Sequence, residues 1–195
     1  MRQFDVVVIG SGFAGSLLGL ILVKQGLSVL IIDRAAHPRF AIGESSTPAA
    51  DFILESLCEQ YQLSSLRPLC RYGRWCRERP NISRGLKRGF SYFHHQPGQT
   101  FHSSLDHSHE LLVAASANDE VGDTHWYRAD VDQYVAQQFV AAGGTLWEHT
   151  TIEAAEPGEH WRLQIQRPTE STAVKAGFLV DGTGGSSALV HWLNL

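Results

Sequence analysis

Cysteine is scarce in this chain of 195 residues, and the three present do not pair. Cys58, Cys70 and Cys76 are odd in number and form no Cys-x-x-Cys, which argues against a disulfide framework or a zinc knuckle. Such thiols suit a reducing cytoplasm. Positive charge is not in excess either. Sixteen Lys and Arg against twenty Asp and Glu leave a net charge of -4, so the basic footprint of a general nucleic-acid binder is missing. Long hydrophobic runs are also lacking. The stretch Leu17 to Val23 contains Gly19 and falls far short of a membrane span. The run Val6 to Ile9 is too short for the core of a signal peptide. Internal repeats, low-complexity segments and linkers are absent. What remains is a globular composition, 43% apolar and 18% charged, of a length that suits one domain.

The pattern along the chain predicts an α/β fold. Residues 4–10 and 28–33 read as buried strands of a parallel sheet, because their β-branched runs do not alternate with polar residues. Between them, 13–25 reads as a helix closed by Gly26. A second helix starts at Thr47, with Pro48 at its first position and Ala50, Ile53, Leu54, Leu57 and Tyr61 as its apolar face. Residues 62–85 show no clear period and read as mostly irregular. Residues 86–93 and 110–115 read as strands; in the first, Leu86, Arg88, Phe90 and Tyr92 alternate with Lys87, Gly89, Ser91 and Phe93. Asp130 and Gln133 suggest a capping box for a helix over 131–142, with Val131, Tyr134, Val135, Phe139 and Ala142 buried. Strands are expected at 145–147, 160–166 and 177–181. A short last helix carries Leu189, Val190, Trp192 and Leu193, apolar side chains that need cover from more chain or from a second copy.

The sharpest motif is Gly10-Ser11-Gly12-Phe13-Ala14-Gly15, a G-x-G-x-x-G between the first strand and the first helix. Gly10 permits the tight turn, Gly12 clears space for a pyrophosphate, and Gly15 lets helix and sheet approach. The helix N-terminus supplies amides and a favourable dipole for the phosphate charge. Asp33 ends the second strand where a carboxylate can accept hydrogen bonds from an adenosine ribose. The fingerprint alone leaves NAD and FAD open. A long loop after the second strand and a late glycine turn, Asp181-Gly182-Thr183-Gly184-Gly185, favour a flavoprotein arrangement.

The segment Pro38-Arg39-Phe40-Ala41-Ile42-Gly43-Glu44-Ser45-Ser46-Thr47-Pro48 resembles the G-E-[SA]-x-x-P loop of the flavin-dependent halogenases and their FAD oxidoreductase relatives. Tyr127-Arg128-Ala129-Asp130-Val131-Asp132 is similar to that family's arginine-bearing start of a helix, and Val180-Asp181-Gly182-Thr183-Gly184 to its D-[AG]-x-G turn. The resemblance implies a glutathione-reductase-like, Rossmann-type FAD-binding domain with a parallel sheet, helices on one face, and an attached antiparallel β layer. It implies one domain over 1–195: a βαβ unit at 1–33, a flavin strap loop at 34–48, an inserted β layer at about 86–115, and a returning strand and glycine turn at 177–187. The cofactor would be FAD, held by Gly10, Gly12, Phe13, Ala14, Gly15, Asp33, Arg34, Gly43, Glu44, Ser45, Arg128, Asp181 and Gly182. Arg128 could instead be a surface arginine at a helix start. Glu44, the catalytic strap residue by motif, could instead cap Thr47 or pair with Arg39.

Gly85-Leu86-Lys87-Arg88-Gly89-Phe90 resembles the neighbourhood of the halogenases' catalytic lysine. In that family reduced FAD and oxygen convert halide to a hypohalous acid, which the lysine holds beside an electron-rich substrate. The alternative for Lys87 is a solvent-facing strand residue. The resemblance implies an enzyme acting on a small-molecule or carrier-bound organic substrate, with a separate flavin reductase supplying reduced FAD. Two departures stand against a complete halogenase: W-x-W-x-I-P is not in this chain, and most of the substrate-binding half is missing. A non-catalytic or decayed flavin-binding module and a reductase of isoprenoid chains are the competing functions. His94, His95, His102, His107 and His109 read as solvated loop histidines rather than metal ligands. The basic residues Arg67, Arg71, Arg74, Arg77, Arg79, Arg84, Lys87 and Arg88 read as a solvated face, or as an attractor for an anionic substrate or carrier.

Overall fold

The computed structural model describes residues 1–114 and 116–193. The elements run β1 (Arg2–Ile9), α1 (Phe13–Lys24), β2 (Val29–Ile32), β3 (Glu44–Ser45), α2 (Pro48–Gln60), α3 (Tyr72–Glu78), β4 (Arg84–Lys87), β5 (Gly89–Phe93) and β6 (Glu110–Ala114). They continue with β7 (Asp123–Trp126), α4 (Arg128–Ala141), β8 (Thr145–Trp147), β9 (Thr151–Glu156), β10 (Trp161–Gln166), β11 (Ser171–Asp181) and α5 (Ala188–Leu193). The chain divides into two compact units. One comprises Met1–Ile42 with Arg128–Leu195, and the other Gly43–Tyr127.

The first unit is built on a six-stranded sheet in the order β8-β2-β1-β11-β10-β9. β8, β2, β1 and β11 run parallel, while β10 and β9 add antiparallel. The parallel strands are as expected from the sequence, which placed the antiparallel layer at about 86–115 rather than at β9 and β10. β1 has β2 on one side and the late strand β11 on the other, so its C-terminal end is a topological switch point, the usual place for a ligand crevice. Both faces of β1 are covered, which explains its unbroken apolar run. Phe4, Val7 and Ile9 join Leu30, Ile32, Trp147, Ile152, Leu163, Ile165, Val174, Ala176 and Leu179 in one buried cluster. Each fully buried aliphatic side chain contributes about 1.5–3 kcal/mol. On the other face, Gly19 of α1 leaves no room for a side chain: an added Cβ would lie 2.7 Å from Ile31 Cδ1 and 3.1 Å from Phe139 Cε2 of α4. α1 ends as expected, with Gly26 at φ +86 and the Leu27 amide donating to the Leu22 carbonyl.

The second unit holds a three-stranded sheet, β3-β7-β4, and the two-stranded pair β5-β6. Thr47 caps α2 as expected, its Oγ1 accepting the Ala50 amide at 3.2 Å. The core is Leu54, Cys58, Leu63, Leu66, Leu69, Cys70, Trp75 and Ile82.

Several expectations need correction. Residues 62–85 are not mostly irregular: a 3-10 turn at Arg67–Cys70 and α3 fall there, each too short to show a period. Residues 86–93 are not one strand. The chain leaves one sheet after Lys87 and joins another at Gly89, whose missing side chain admits the Val113 carbonyl. The buried stripe of α2 is Asp51, Leu54 and Cys58, and Ile53 is 58% exposed. α4 begins at Arg128, so Asp130 lies in its first turn rather than at its cap. β11 starts at Ser171, six residues before its expected start. β3, β7 and β9 had no clear sequence signal. Ala115, expected in the strand at 110–115, lies outside the described residues.

Candidate functional site

Around the C-terminal ends of β1 and β2 the first unit forms a cavity of about 440 Å³, lined by Gly10, Asp33, Arg34, Arg39, Gly182 and Trp192 among others. That volume lies within the range of small-ligand sites. Gly10 sits at φ +102, and a Cβ there would be 2.5 Å from the Gly182 carbonyl oxygen. The turn after β11 therefore closes directly on the turn after β1, and the Gly182 amide donates to Ile9 at 2.8 Å. A Cβ at Gly15 would overlap the Gly10 carbonyl. Gly12 differs from both. A Cβ there would make ordinary contacts, its nearest atoms being Arg128 Nη2 and Arg39 Nη2 at 3.6 Å and Asp132 Oδ2 at 3.8 Å. Two guanidinium groups thus stand beside the N-terminus of α1, whose N-cap residue, Gly12, has no side chain to cap it. Phe13 and Ala14 form the first turn of that helix.

Asp33 ties this turn to β2. Its Oδ2 accepts the Ser11 amide at 2.8 Å and the Ser11 hydroxyl at 2.7 Å, and its Oδ1 accepts the Ala35 amide at 2.9 Å. Arg39 Nη2 lies 3.4 Å away. Burial alone would raise the Asp33 pKa, but hydrogen bonds from Ala35 and Ser11 and the Arg39 charge outweigh it and hold it below its ordinary value. Asp181 plays a similar part in the second turn. Its Oδ1 accepts the Thr183 amide at 3.0 Å and hydroxyl at 2.6 Å, while Oδ2 accepts the Leu189 amide at 2.9 Å. Burial opposes ionisation there too, and these bonds override it, lowering the pKa. Arg128 makes a two-pronged ion pair with buried Asp132, at 2.6 and 2.9 Å.

The sequence reading missed Arg39 as a site residue. It lines the cavity, and its Nε is buried without a hydrogen-bond partner. Its place in the loop after Asp33 was the available signal. Thr183, within the late glycine turn, also lines the cavity, as do Thr150, Thr151 and Ile152, which nothing local marks. The last helix is not wholly without cover: Leu189 packs on the core cluster and Trp192 lines the cavity.

Gly43, Glu44, Ser45 and Lys87 belong to the second unit. β3 pairs Glu44 with Trp126 and Ser45 with His125, and the Ser45 hydroxyl lies 2.6 Å from His125 Nδ1. Gly43, Glu44 and Ser45 are exposed. Lys87 is not a solvent-facing strand lysine. It is 8% exposed, its Nζ donates to the Ser46 carbonyl at 2.6 Å, and it stands 5.0 Å from the Phe90 ring centroid. The histidine-rich loop brings the His94 and His109 rings to 5.8 Å. Among the described residues no three His, Cys, Asp or Glu side chains converge on a common point.

Residues 5–194 match the model of the FAD dependent oxidoreductase family. The chain belongs to that family. The chain is 34% identical to monodechloroaminopyrrolnitrin halogenase PrnC of Pseudomonas fluorescens over 151 residues, covering 77% of this chain and 26% of the relative. It is 28% identical to tetracycline 7-halogenase of Kitasatospora aureofaciens over 194 residues, covering 100% of this chain and 34% of the relative. The crystal structure of halogenase PltM with phloroglucinol and FAD superposes with a TM-score of 0.83 at 29% identity, covering 98% of this chain and 36% of that one. The resemblance to flavin-dependent halogenases read from the motifs therefore stands. The chain spans about a quarter to a third of the length of these curated relatives. FAD is the family's cofactor, and the first unit fits it. The two guanidinium groups beside Gly12, the orphaned Arg39 Nε and the cavity beside Asp33 suit a pyrophosphate and an adenosine.

Proposed function

We propose that this protein is a halogenase acting on an electron-rich aromatic ring, with Lys87 as the amine that holds the oxidised halide. One observation carries this reading: a lysine in the motif position of the catalytic residue is buried, with its Nζ fixed 2.6 Å from the Ser46 carbonyl. A lysine without such a role would extend its charge into water. FAD bound in reduced form supplies the electrons that activate oxygen toward halide. In this reading residues 1–195 act as one FAD-binding domain. The turn from Gly10 to Gly15 approaches the pyrophosphate, Arg39 and Arg128 balance its charge, and Asp33 and Arg34 line the adenosine side. Gly182 and Asp181 shape the turn that closes on Gly10. Gly43, Glu44 and Ser45 form the strap.

Substrate class follows from the relatives' names, which specify an aminopyrrolnitrin, a tetracycline and a pyrrole held on a peptidyl carrier protein. Each suits attack by a positive halogen. A separate flavin reductase supplies reduced FAD, and free thiols at Cys58, Cys70 and Cys76 favour the cytoplasm. No helix among the described residues is long and apolar enough to cross a membrane.

The test incubates the protein with reduced FAD, oxygen and either chloride or bromide, with a phenol probe and, separately, an amine trap for hypohalous acid. The expected result is a halogenated probe in wild type and at least a tenfold lower yield in Lys87→Ala. Equal yields remove Lys87 from the mechanism. Bound FAD without any trapped oxidised halide refutes halogenation by this chain.

A further inference from the structure

The second unit buries a polar cluster behind Lys87. Asp51 of α2 is 1% exposed and Asp123 of β7 is 2% exposed. Ser46 and Thr124 are buried with them. The Ser46 hydroxyl lies 3.3 Å from Asp51 Oδ2 and accepts the Thr124 amide at 2.8 Å, while the Ser46 carbonyl holds Lys87 Nζ. The register of β4 on β7 sets Lys87 directly opposite Asp123. The two carboxyl groups are near enough that the Asp123 charge disfavours ionisation of Asp51. Asp51 Oδ1 and Asp123 Oδ2 are buried with no hydrogen-bond partner among the described residues. Two adjoining carboxylates cannot both stay ionised out of water, so one proton between them is the stable arrangement. The pair then carries a single negative charge, which matches the single positive charge of Lys87.

We propose that Asp51 and Asp123 are positioning residues for Lys87: they share one proton, set one negative charge opposite the ammonium, and accept its proton when the nitrogen must react. The proposal rests on Lys87 being the amine that captures a hypohalous acid. The ammonium passes a proton to the pair, which becomes neutral. The free amine's lone pair attacks the halogen, the nitrogen–halogen bond forms and the halogen–oxygen bond breaks. Hydroxide leaves with the nitrogen's surplus proton as water, and the halogen keeps its oxidation state. Burial, and then the Asp123 charge, pushes Asp51 up to about 7, and burial also raises Asp123. The other groups facing the pair are Arg71, whose charge favours ionisation of both, and the Cys70 thiol. Arg71 is itself engaged by Glu55 at 3.7 Å.

The chain has three lysines, Lys24, Lys87 and Lys175, so the ¹⁵Nζ spectrum of lysine-labelled protein follows Lys87 without flavin or halide. The expected wild-type Lys87 signal shifts in a step near neutral pH as the pair titrates. Asp51→Asn, which has no proton to give up, abolishes that step. Asp123→Asn removes a charge that raises Asp51 and moves the step to lower pH. No neutral step in wild type, or an unmoved step in folded Asp123→Asn, overturns the proposal. Should Asp123→Asn not fold, the wild-type step and its fate in Asp51→Asn decide the matter. A step that behaves as expected in a protein that yields no trapped halide supports the acid pair and refutes only the halogenase reading.

Discussion

Replacing Gly12 separates cofactor binding from folding. Its backbone, at φ -64 and ψ 176, is extended and open to any residue. A Cβ there meets nothing closer than 3.6 Å, so the fold has no steric objection. As the residue preceding α1, serine caps better than glycine by a few tenths of a kcal/mol, and alanine is worse by up to about 1 kcal/mol. In a chain of this size such changes move the melting temperature by about 1–4 °C. Binding is another matter, because the new side chain fills the space between the helix amides and the Arg39 and Arg128 guanidinium groups. Charge-assisted hydrogen bonds contribute roughly 1.5–3 kcal/mol each. Displacing one or two of them costs about 2–4 kcal/mol, a roughly 30- to 700-fold weaker FAD affinity. Quenching of flavin fluorescence in a titration reads the affinity, and melting of the FAD-free protein reads the fold. A folded Gly12→Ser protein with wild-type affinity refutes the phosphate cradle.

Two further substitutions test neighbouring links. Gly15→Ala drives a Cβ into the Gly10 carbonyl, so the FAD-free protein should lose at least about 2 kcal/mol in urea denaturation or fail to fold; wild-type stability would show that α1 does not need this close approach. Asp33→Asn weakens the acceptors for Ser11 and Ala35 and should cost about 1–3 kcal/mol at pH 7. Because folding lowers the Asp33 pKa, its stabilisation is full well above the ordinary carboxylate value of 3.8 and fades as pH falls through the lower folded value. Denaturation at pH 7 and at pH 3 should therefore show the gap narrowing, and a gap that widens in acid contradicts the assignment.

The nucleotide half of the fold is legible because its signals are local. Val6 to Ile9 and Val29 to Ile32 are unbroken apolar runs with cover on both faces, and the glycines fall at fixed offsets between them. Strands created by their partners are harder to see. β7 reads Asp-Thr-His-Trp and β9 reads Thr-Ile-Glu-Ala-Ala-Glu, and neither has a firm alternation. β7 exists because β3 and β4 bracket it, and β9 because β10 pairs with it. The capping box at Asp130 misplaced a helix start for a related reason. The Arg128–Asp132 ion pair sits within the first turns of α4, so the helix reaches back past the expected cap.

The α2 face has a different lesson. Periodicity counts apolar residues and turns them inward, so it points Ile53 at the core and Asp51 at water. The structure does the reverse, because Asp51 finds Ser46 five residues earlier and Asp123 on a strand much later in the chain. No window of helical length contains both partners. Burying two carboxyl groups and a lysine is rarely the cheapest way to fill a core, since apolar side chains of similar volume commonly serve stability as well or better. A fold that keeps them while leaving Ile53 exposed departs from its own local pattern at one place, and such departures gather where chemistry is done. The cluster is therefore better explained by the reaction proposed for Lys87 than by what α2 needs to stay folded.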